Sequence, residues 1–583
     1  MHKRFPVRIH TATANCFGHN YEIDMLTHPS AERPPEVPEP PHNIPEAPRR
    51  GRLFSVAAAV LAVAALAGCT IANHGKEPAS AGFAGSSSST SVAPHAAEDP
   101  FLIQTGDSLI ALHQNSDGGW KFQSQIQSPH FQTDRDVGAA SVGMGFLALA
   151  DRYPQDSKWL NAAKSTASWL MAVENKDSNG NISWPDYVDG GDRASSRFTS
   201  FDDGALGVGD FFWRLYKKTG DEQYKATALG SVNWTLAQAE NVGSADQPVY
   251  RWVWDTSTRG NPADGSDNAP SYQMGMGEGV VGIVSTLATY YQRTQHSDPA
   301  FAAKCKQYAE GGVRFIQSTQ RTLGENGGDS RALPETGIPG QDGDTNMNSG
   351  YLSGAAGAAY MYLNLYKVFG DKTYLDNANA TLSWLQDTQN GPMVNDGSDE
   401  VSWDVALDPQ GSDSLEQSTG IEEGGAGTGE VFVQAASITG NKVYLTVARK
   451  AGNWLLAVAS KDSNGGYSWR QDMNPGSKYS HPNLNNGAAG IGTFLYDLYR
   501  ATGDKQYLKG AQGARTWLIA TAAHDGRNLY WNDVDVGDNP NEGTPFRNDP
   551  SWHWGDAGII AFLARLSGGS LDVPGEQDAL TGH

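Results

Sequence analysis

Apolar stretches of helical length recur along most of the chain, as in FFWRLYKKTG (211–220) and GTFLYDLYRATG (492–503). Such stretches end in a shared turn, seen in TGDEQY, FGDKTY, TGNKVY and TGDKQY, and a second amphipathic segment follows. In these turns Gly stops one helix, and Asp or Asn starts the next. The pattern therefore predicts helical hairpins.

A small-residue motif opens the first helix of each hairpin. Its copies align at Ala140, Gly204, Gly279, Gly354, Gly424, Gly487 and Gly555, with spacings of 63 to 75 residues, and the first copy, AASVGMG, is degenerate. A Gly-rich turn with a tryptophan follows several of the second helices, at Trp120, Trp184, Trp469 and Trp531. TPR and HEAT repeats are shorter than this unit. The sequence predicts an all-α (α/α)7 toroid, with an (α/α)6 toroid as the alternative.

A targeting segment precedes the repeats. Arg49, Arg50 and Arg52 lead into an apolar run from Leu53 to Gly68, which is short for a membrane span, and Cys69 ends it. This ending resembles the bacterial lipobox, so Cys69 is the predicted lipidation site. We expect a lipoprotein held at the cell envelope, outside the cytoplasm, with the lipid as its only membrane contact.

The predicted organisation follows from these segments. Residues 1–48 form a Pro-rich extension that is disordered or precedes the true start, and 49–68 form the signal peptide. Residues 69–98 form a flexible tether, 99–570 the toroid and 571–583 a disordered tail.

The charge balance limits the classes of partner that the protein is expected to bind. The chain has 43 Lys and Arg against 65 Asp and Glu, a net charge of −22, which argues against nucleic acid and polyanionic glycans. Three cysteines cannot build a Cys-rich zinc site. We find no P-loop, G-x-S-x-G or HExxH motif, and we expect no cofactor and a monomer.

The seven glycine motifs resemble those of the lanthionine synthetase C-like family over about residues 99–570. The resemblance implies an (α/α)7 toroid in which a GxxG motif opens each inner helix. Zinc-dependent members cyclise peptides, and they hold the metal with a Cys before the fifth motif and a Cys-His pair before the sixth. The matching positions read Glu422-Glu423-Gly424 and Asn485-Asn486-Gly487, without cysteine. The resemblance thus implies the fold without the zinc site, and Cys305 is expected to be a buried, inert residue of an outer helix.

The residues just before each glycine motif are predicted to surround the central cavity. They are Gly138-Ala139, Asp202-Asp203, Gly277-Glu278, Leu352-Ser353, Glu422-Glu423, Asn485-Asn486 and His553-Trp554. Glycosidases need a carboxyl pair as acid and as base or nucleophile. The candidate catalytic residues are therefore Asp202, Asp203, Glu278, Glu422, Glu423 and His553. Two alternatives stay open: Asp203, Ser353 and Asn486 as helix N-caps, and His553 as a structural residue or metal ligand.

The candidate substrate contacts combine aromatic and polar residues: Trp252, Trp254, Trp552, Trp554, Asn485, Asn486 and Asp556. The four tryptophans fall near cavity loops outside the repeat pattern, and aromatic faces stack on sugar rings. We therefore expect an exported glycoside hydrolase acting on a neutral glycan. The alternatives are a zinc-less relative of the cyclases that acts on or binds a peptide, and a non-catalytic glycan-binding surface protein.

Overall fold

The structure is a computed structural model that describes residues 98–123, 130–190, 194–261, 269–322, 331–334, 347–387, 399–407, 417–473, 480–532 and 549–568. These residues belong to a unit that runs from Ser91 to His583. The predicted extension, the signal peptide, Cys69, the tether up to residue 97 and the C-terminal tail lie outside the described residues. None of the described helices has the length and apolar character needed to span a bilayer.

Fourteen α-helices in the described part of the chain form two layers. They are α1 Pro100–Ala111, α2 Ala139–Arg152, α3 Ser157–Ala172, α4 Ala205–Thr219, α5 Glu222–Ala237, α6 Val280–Thr294, α7 Pro299–Thr319, α8 Ala355–Phe369, α9 Lys372–Asp387, α10 Gly425–Thr439, α11 Lys442–Val458, α12 Ala488–Thr502, α13 Lys505–Thr521 and α14 Asp556–Leu566. The even-numbered helices form the inner layer and are buried over most of their length. The odd-numbered helices form the outer layer, and each inner helix from α2 to α12 packs on the outer helix that follows it. Helix α14 packs against both α1 and α2, which closes the ring. The predicted all-α toroid is confirmed.

Polar and glycine caps explain where the hairpins turn. Asp221, Asn441 and Asp504 begin α5, α11 and α13, and each side chain accepts a backbone N–H of the first turn. Gly220 and Gly440 end α4 and α10 in the left-handed conformation, with φ of 71° and 70°. The turn signature read from the sequence therefore has the predicted structure.

Short antiparallel strand pairs lie between the hairpins, apart from one pair whose two strands flank the α8–α9 hairpin. The strands are β1 Gln114–Ser116, β2 Gly119–Lys121, β3 Asn175–Lys176, β4 Ile182–Ser183, β5 Glu240–Asn241, β6 Tyr250–Arg251, β7 Arg321–Thr322, β8 Arg331–Ala332, β9 Met347–Asn348, β10 Ala406–Leu407, β11 Ser460–Lys461, β12 Tyr467–Ser468, β13 Ala523–Asp525 and β14 Asn528–Tyr530. Each strand of an odd number pairs with the strand that follows it. A single 3-10 turn, Thr256–Thr258, is also described.

A tryptophan follows four of these strand pairs directly and is buried against the preceding outer helix. The indole Nε1 atoms of Trp184, Trp252, Trp469 and Trp531 donate to helix carbonyls at 2.7 to 2.9 Å. The carbonyls belong to Leu170, Thr235, Leu455 and Leu518. Trp252 therefore occupies the repeat core, and the expectation that it lies outside the repeat pattern is wrong.

Glycine, and not a polar residue, caps the N-terminus of every described inner helix. The N-caps are Gly138, Gly204, Gly279, Gly354, Gly424, Gly487 and Gly555, none with a side-chain cap. Asp203, Ser353 and Asn486 each lie one residue ahead of the N-cap. The alternative in which they are the N-cap residues is therefore wrong.

The second glycine of the motif makes room for the turn that precedes its own helix. A Cβ on Gly207 would collide with the carbonyl oxygen of Phe201, six residues earlier, and would lie 2.7 Å from Arg135 Cβ. The same collision with the carbonyl six residues earlier occurs at Gly282, Gly357, Gly427, Gly490 and Gly558. Backbone can approach this closely only where no Cβ is present. The second glycine thus permits a tight turn just before six of the seven described inner helices.

Candidate functional site

Backbone hydrogen bonds join the seven turns before the inner helices into a closed ring. We call the residues two before each N-cap the central ring: Asp136, Asp202, Gly277, Leu352, Glu422, Asn485 and His553. From Asp202 to His553, each backbone N–H in this series donates to the carbonyl of the next member, at 2.8 to 3.4 Å, and His553 donates to Asp136. The link from the first turn is made by Arg135, which donates to the Asp202 carbonyl at 2.9 Å. Side chains distant in sequence are thereby held around one centre.

The first turn of the ring differs from the sequence expectation. Gly138 is the N-cap of α2, so Asp136 and Val137 occupy the place expected for Gly138 and Ala139. Sequence reasoning therefore missed Asp136, and with it Arg135. The available signal was the match between DVGA at 136–139 and DDGA at 202–205.

A second layer of side chains lies beneath the central ring, on the side of the inner helices. This floor comprises the residues three before each N-cap, all buried: Arg135, Phe201, Met276, Tyr351, Ile421, Leu484 and Trp552. Floor side chains pack on the second glycine of the next repeat, as Met276 Cβ does on Gly357. Apart from Arg135 and the hydroxyl of Tyr351, the floor is apolar.

The ring and the floor enclose a small cavity with a volume of about 10 Å³, which is room for about one water molecule. Its lining combines floor and ring residues: Phe201, Asp202, Met276, Tyr351, Leu352, Ile421, Glu422, Asn485 and His553. The structure thus brings Asp202, Glu422, Asn485 and His553 together at one cavity.

Glu422 is the most perturbed acid of this cavity. Its side chain is buried, and no hydrogen bond to its carboxyl group is found among the described residues. Burial raises the pKa of Glu422 well above its ordinary value, and the carboxylates of Glu423, Asp136, Asp202 and Glu278 raise it further. The structure therefore favours a protonated Glu422 that can donate a proton.

Asp202 lies beside a buried cation. Arg135 is 1% exposed, its guanidinium packs over the rings of Phe201 and Trp552, and its Nη1 lies 3.5 Å from Asp202 Oδ1. Burial raises the pKa of Asp202 above its ordinary value, and the positive charges of His553 and Arg135 limit this rise. These two cations favour an ionised Asp202, whereas every charge acting on Glu422 favours its protonated form.

His553 and Asp136 form an ion pair at the edge of the cavity. His553 Nδ1 lies 2.5 Å from Asp136 Oδ1, with 25% of the Asp136 side chain exposed. Burial alone would lower the pKa of His553, but the carboxylates of Asp136 and Asp202 outweigh burial and raise it. Protonated imidazole is thus stabilised next to the two carboxylates.

Asp134 is a further buried carboxyl that sequence reasoning did not single out. It accepts the backbone N–H groups of Val137 and Gly138 at 2.7 and 3.0 Å. Burial, with smaller contributions from Asp186 and Asp136, raises the pKa of Asp134 to about 7. It therefore supports the turn that carries Asp136.

The remaining predicted acids lie around the ring and do not line the cavity. Asp203 Oδ2 accepts the indole N–H of Trp254 at 3.3 Å, and Trp254 packs on Phe198. Glu423 Oε1 accepts the Ser353 N–H at 3.0 Å. Asp203, Glu278 and Glu423 are half-buried.

The other predicted ligand contacts divide between the wall and the surroundings of the ring. Trp552 is fully buried in the floor beside Arg135, and Trp554 is half-buried next to His553. Asn486 follows Asn485, and its backbone N–H donates to Asn483 Oδ1. Asp556 is the first residue of α14, and burial, together with Asp549, raises its pKa well above the ordinary value.

The side chains at the two matching turns do not fit the zinc site of the zinc-dependent family members. Carboxyl and amide side chains stand at the two matching turns, and buried carboxamides are poor zinc ligands. Cys305, the one cysteine of the described part, lies on α7, where burial raises its pKa to about 12. No cluster of three or more His, Cys, Asp or Glu side chains suited to a metal is found among the described residues.

Comparisons with known proteins give one family match. The model of the lanthionine synthetase C-like protein family matches residues 270–574, which is more than half of the chain. No curated protein matches significantly.

Solved structures with a similar fold belong to several kinds of protein. Nisin cyclase is 12% identical, with 83% of this chain and 98% of that one covered and a TM-score of 0.47. D-mannose isomerase is 11% identical, with 82% and 100% covered and a TM-score of 0.46. A glycoside hydrolase of family 76 (mannosidase) from Bacteroides thetaiotaomicron is 12% identical, with 80% and 96% covered and a TM-score of 0.41.

Proposed function

The chain belongs to the lanthionine synthetase C-like family, and we propose that within it this protein is an exported glycoside hydrolase that cleaves a neutral glycan. The proposed catalytic groups are carboxyls of the central ring. No metal ion takes part in the steps described below.

One observation carries the proposal: Glu422 stands across the central ring from Asp136 and Asp202. These two are the ring members farthest from Glu422, since three hydrogen-bonded steps separate Glu422 from each of them. Glycoside hydrolysis requires two carboxyl groups that flank the scissile bond, one protonated and one ionised. Carboxyl groups whose environments push their pKa values apart are suited to such a division of roles. The opposed positions and the opposed charge environments of Glu422 and Asp202 support it here.

The proposed reaction begins with proton donation from Glu422 to the glycosidic oxygen. The bond from this oxygen to the anomeric carbon breaks, and a water molecule attacks that carbon. Asp202 takes the proton of the attacking water, so the products are a hemiacetal and a free alcohol. Proton exchange with solvent then restores the acid form of Glu422 and the ionised form of Asp202.

The remaining ring residues assist these two carboxyl groups. Arg135 and His553 favour the ionised form of Asp202 through their positive charge. Asp136 holds the His553 imidazole in position. The half-buried acids Asp203, Glu278 and Glu423 add negative potential around the cavity, which disfavours anionic sugars.

We also propose that the protein acts at the cell envelope as a monomer anchored by lipid on Cys69. The basic residues, the apolar run and the small residues before Cys69 support this location. Mass spectrometry of the mature protein, purified from its native membrane, tests the proposed lipid anchor. A chain that begins at Cys69 and carries acyl groups is expected, and an unmodified Cys69 would contradict the proposal.

Hydrolysis of neutral glycosides tests the catalytic proposal. The full chain should release reducing sugar from at least one member of a panel of neutral polysaccharides and aryl glycosides. Glu422→Gln and Asp202→Asn should each lower kcat at least 100-fold, as expected for loss of an acid or base catalyst.

Glu430→Gln is the matched control for these variants. Glu430 is also a buried acid, but it lies on α10, about 9 Å further along the helix, where it accepts a hydrogen bond from Gln434 at 2.7 Å. Its replacement should leave kcat within threefold of the wild type. Full activity of the Glu422 and Asp202 variants would contradict the assignment of the two residues.

Family membership favours a second candidate function, binding or modification of a peptide. Under this function the glycoside panel stays inactive, and dehydrated or thiol-bearing peptides bind to the same cavity. Competition between such peptides and neutral sugars, measured through tryptophan fluorescence, distinguishes the two candidate functions.

A further inference from the structure

We propose that the cavity of the central ring binds one water molecule, which accepts a hydrogen bond from Asn485 Nδ2 and carries a proton between the carboxyl groups of Asp202 and Glu422. Asn485 is then a positioning residue, because it acts on the reaction through the water that it holds. The proton path rests on the hydrolase function proposed above, whereas the water site does not depend on hydrolysis.

The size of the cavity limits what it can hold. Its volume of about 10 Å³ is room for about one water molecule. Water is stable in such a space when it finds about two to four polar partners. Asp202, Glu422, Asn485 and His553 place polar groups on the wall of the cavity, so a single water has enough partners there.

Asn485 supplies a buried hydrogen-bond donor to this space. The residue is 4% exposed and lines the cavity, and its Nδ2 has no hydrogen-bond partner among the described residues. Buried polar groups without a partner are rare in native proteins, and buried water commonly pairs with polar groups that the protein itself leaves unpaired. A water oxygen in the cavity therefore satisfies this donor.

Two carboxyl groups on opposite sides of the central ring face the same small space. Asp202 and Glu422 both line the cavity, although three hydrogen-bonded steps of the ring separate them. Among the described residues, the Asp202 carboxylate accepts one hydrogen bond, from Arg135 at 3.5 Å, and none is found to the Glu422 carboxyl group. One water can therefore accept from Asn485 Nδ2 and from protonated Glu422, and donate to Asp202.

The charges around the cavity favour neutral water over an ion of similar size. Arg135 lies 3.5 Å from Asp202, and His553 lies 2.5 Å from Asp136, so each ionised carboxylate has a cation beside it. Burial and the neighbouring carboxylates raise the pKa of Glu422, which favours its neutral form. The half-buried acids of the other turns are open to solvent, which screens them. Because a buried charge without a partner is costly, these balanced groups favour an uncharged ligand.

The bound water returns a proton after hydrolysis. At the end of the proposed reaction, Asp202 carries the proton of the attacking water and Glu422 is ionised. Asp202 then gives its proton to the bound water, and the bound water gives one of its own protons to Glu422. Both carboxyl groups regain their starting forms, the bound water is unchanged, and no further reactant is needed.

Crystallography of the full chain, at a resolution that shows ordered water, tests the water site. The wild type should have one peak of density in the cavity, within hydrogen-bond distance of Asn485 Nδ2 and the Asp202 carboxylate. The nearly isosteric Asn485→Leu cannot donate a hydrogen bond and should lose this peak. A wild-type cavity without density, or a peak that persists in Asn485→Leu, would overturn the water site. An anomalous peak in the cavity after a rubidium chloride soak would also overturn it, because the site would then bind a cation.

Asn364→Leu is the matched control because it also removes a buried amide group. Asn364 lies on α8, about 15 Å from the N-cap, and its Nδ2 donates to Ser285 and Thr289. This variant should keep the water peak. It should also melt at a lower temperature than Asn485→Leu, because it leaves protein acceptors without their donor, whereas the water departs together with the Asn485 amide.

Steady-state kinetics test the proton path on any glycoside that the wild type hydrolyses. Asn485→Leu should lower kcat about tenfold, as expected for one lost hydrogen bond, and should leave KM within twofold. The solvent deuterium isotope effect on kcat should increase, because return of the proton becomes rate-limiting. A merely structural role of Asn485 would not change this isotope effect. An unchanged kcat or an unchanged isotope effect would overturn the proton path.

The two tests separate this inference from the proposed function. Absence of hydrolysis by the wild type would overturn the hydrolase function and with it the proton path, and crystallography would still decide the water site. Hydrolysis by a wild type whose cavity holds no water would overturn the inference while the hydrolase function stands.

Discussion

The imidazole Nδ1 of His553 lies 2.5 Å from Asp136 Oδ1, although 417 residues separate them in the sequence. Next to this contact, the His553 backbone N–H donates to the Asp136 carbonyl at 3.4 Å. These two interactions join the last turn of the central ring to the first. Closure of the ring is therefore sensitive to the protonation of one histidine.

Replacement of His553 should change stability in a pH-dependent way. Because Asp136 and Asp202 raise the pKa of His553 above its ordinary value of about 6.5, the protonated form stabilises the folded state. This contribution is fully present below pH 6.5 and is lost as the pH rises through the raised pKa. Thermal melting of wild type and His553→Gln should differ most at pH 5 to 6 and least at pH 9.

The surface pair formed by His130 and Asp189 provides the control. Its side chains are 24% and 36% exposed, and exposed ion pairs contribute little. His130→Gln should leave the melting temperature nearly unchanged throughout. A His553→Gln difference that stays constant from pH 5 to 9 would contradict the assigned role of the ion pair.

Glu422→Gln should stabilise the protein at neutral and alkaline pH. A carboxyl whose pKa is raised by folding loses its proton more readily in the unfolded chain, so the free energy of unfolding falls as the pH rises above about 4.3. Glutamine removes this penalty. We expect a gain of more than about 1 kcal/mol at pH 8, since one pKa unit is worth about 1.4 kcal/mol.

Chemical denaturation at pH 4 and pH 8 measures this gain. The two proteins should have similar stability at pH 4, where Glu422 is protonated in the folded chain and mostly protonated in the unfolded chain. Glu222→Gln, a change at an exposed acid of α5, should have no such effect. A Glu422→Gln protein that is less stable at pH 8 would show that the carboxyl is stabilised by a partner.

The repeat architecture could be predicted because its signals are local. The left-handed Gly220 and the N-cap Asp221 specify a turn through their own backbone chemistry, and the same pair of signals recurs in later hairpins. The position of the tryptophan that follows a strand pair was harder to predict from the sequence. Trp252 follows a longer loop than Trp184 does, so its place in the repeat became visible only from its bond to Thr235.

The site was predicted in part because one repeat departs from the motif. Ser141 stands where Gly207 and its equivalents stand, and its hydroxyl donates to the Gly138 carbonyl at 2.7 Å. Without the second glycine, the repeat pattern places the first copy two residues too late, so it does not identify Asp136 and Arg135 as site residues. The charge environment of Glu422 depends on turns more than 60 residues apart, which spacing alone cannot reveal.

Arg135→Gln should shift the pH dependence of catalysis. Arg135 lowers the pKa of Asp202 through its charge, so its removal should raise the pKa of the proposed base. The acid limb of the kcat/KM profile should then move to higher pH by about one unit. Arg135→Lys keeps the charge and should restore most of the profile.

Arg293 offers a matched control for this test. Its side chain is 5% exposed and pairs with Asp210 at 2.8 Å in the wall between α4 and α6. Arg293→Gln should reduce thermal stability but leave the acid limb where it is. An unchanged profile for Arg135→Gln would mean that Asp202 is not the base or that Arg135 does not act on it.

Gly277→Ala should block the cavity while leaving the fold intact. Gly277 is the one member of the central ring without a side chain. A Cβ there would lie 2.5 Å from Asp202 Oδ2 and would press on the end of the Leu352 side chain. Both neighbours are the ends of flexible side chains, so they can move to make room for the Cβ. They must move either into the cavity or away from the atoms that they now contact. Activity and sugar affinity should fall at least tenfold, with a small change in melting temperature.

Gly510→Ala controls for the effect of crowding on packing. Gly510 lies on α13, and a Cβ there would crowd the side-chain ends of Leu456 and Leu495. This variant should keep full activity. Unchanged kinetics for Gly277→Ala would mean that substrate does not occupy the space between Asp202 and Leu352.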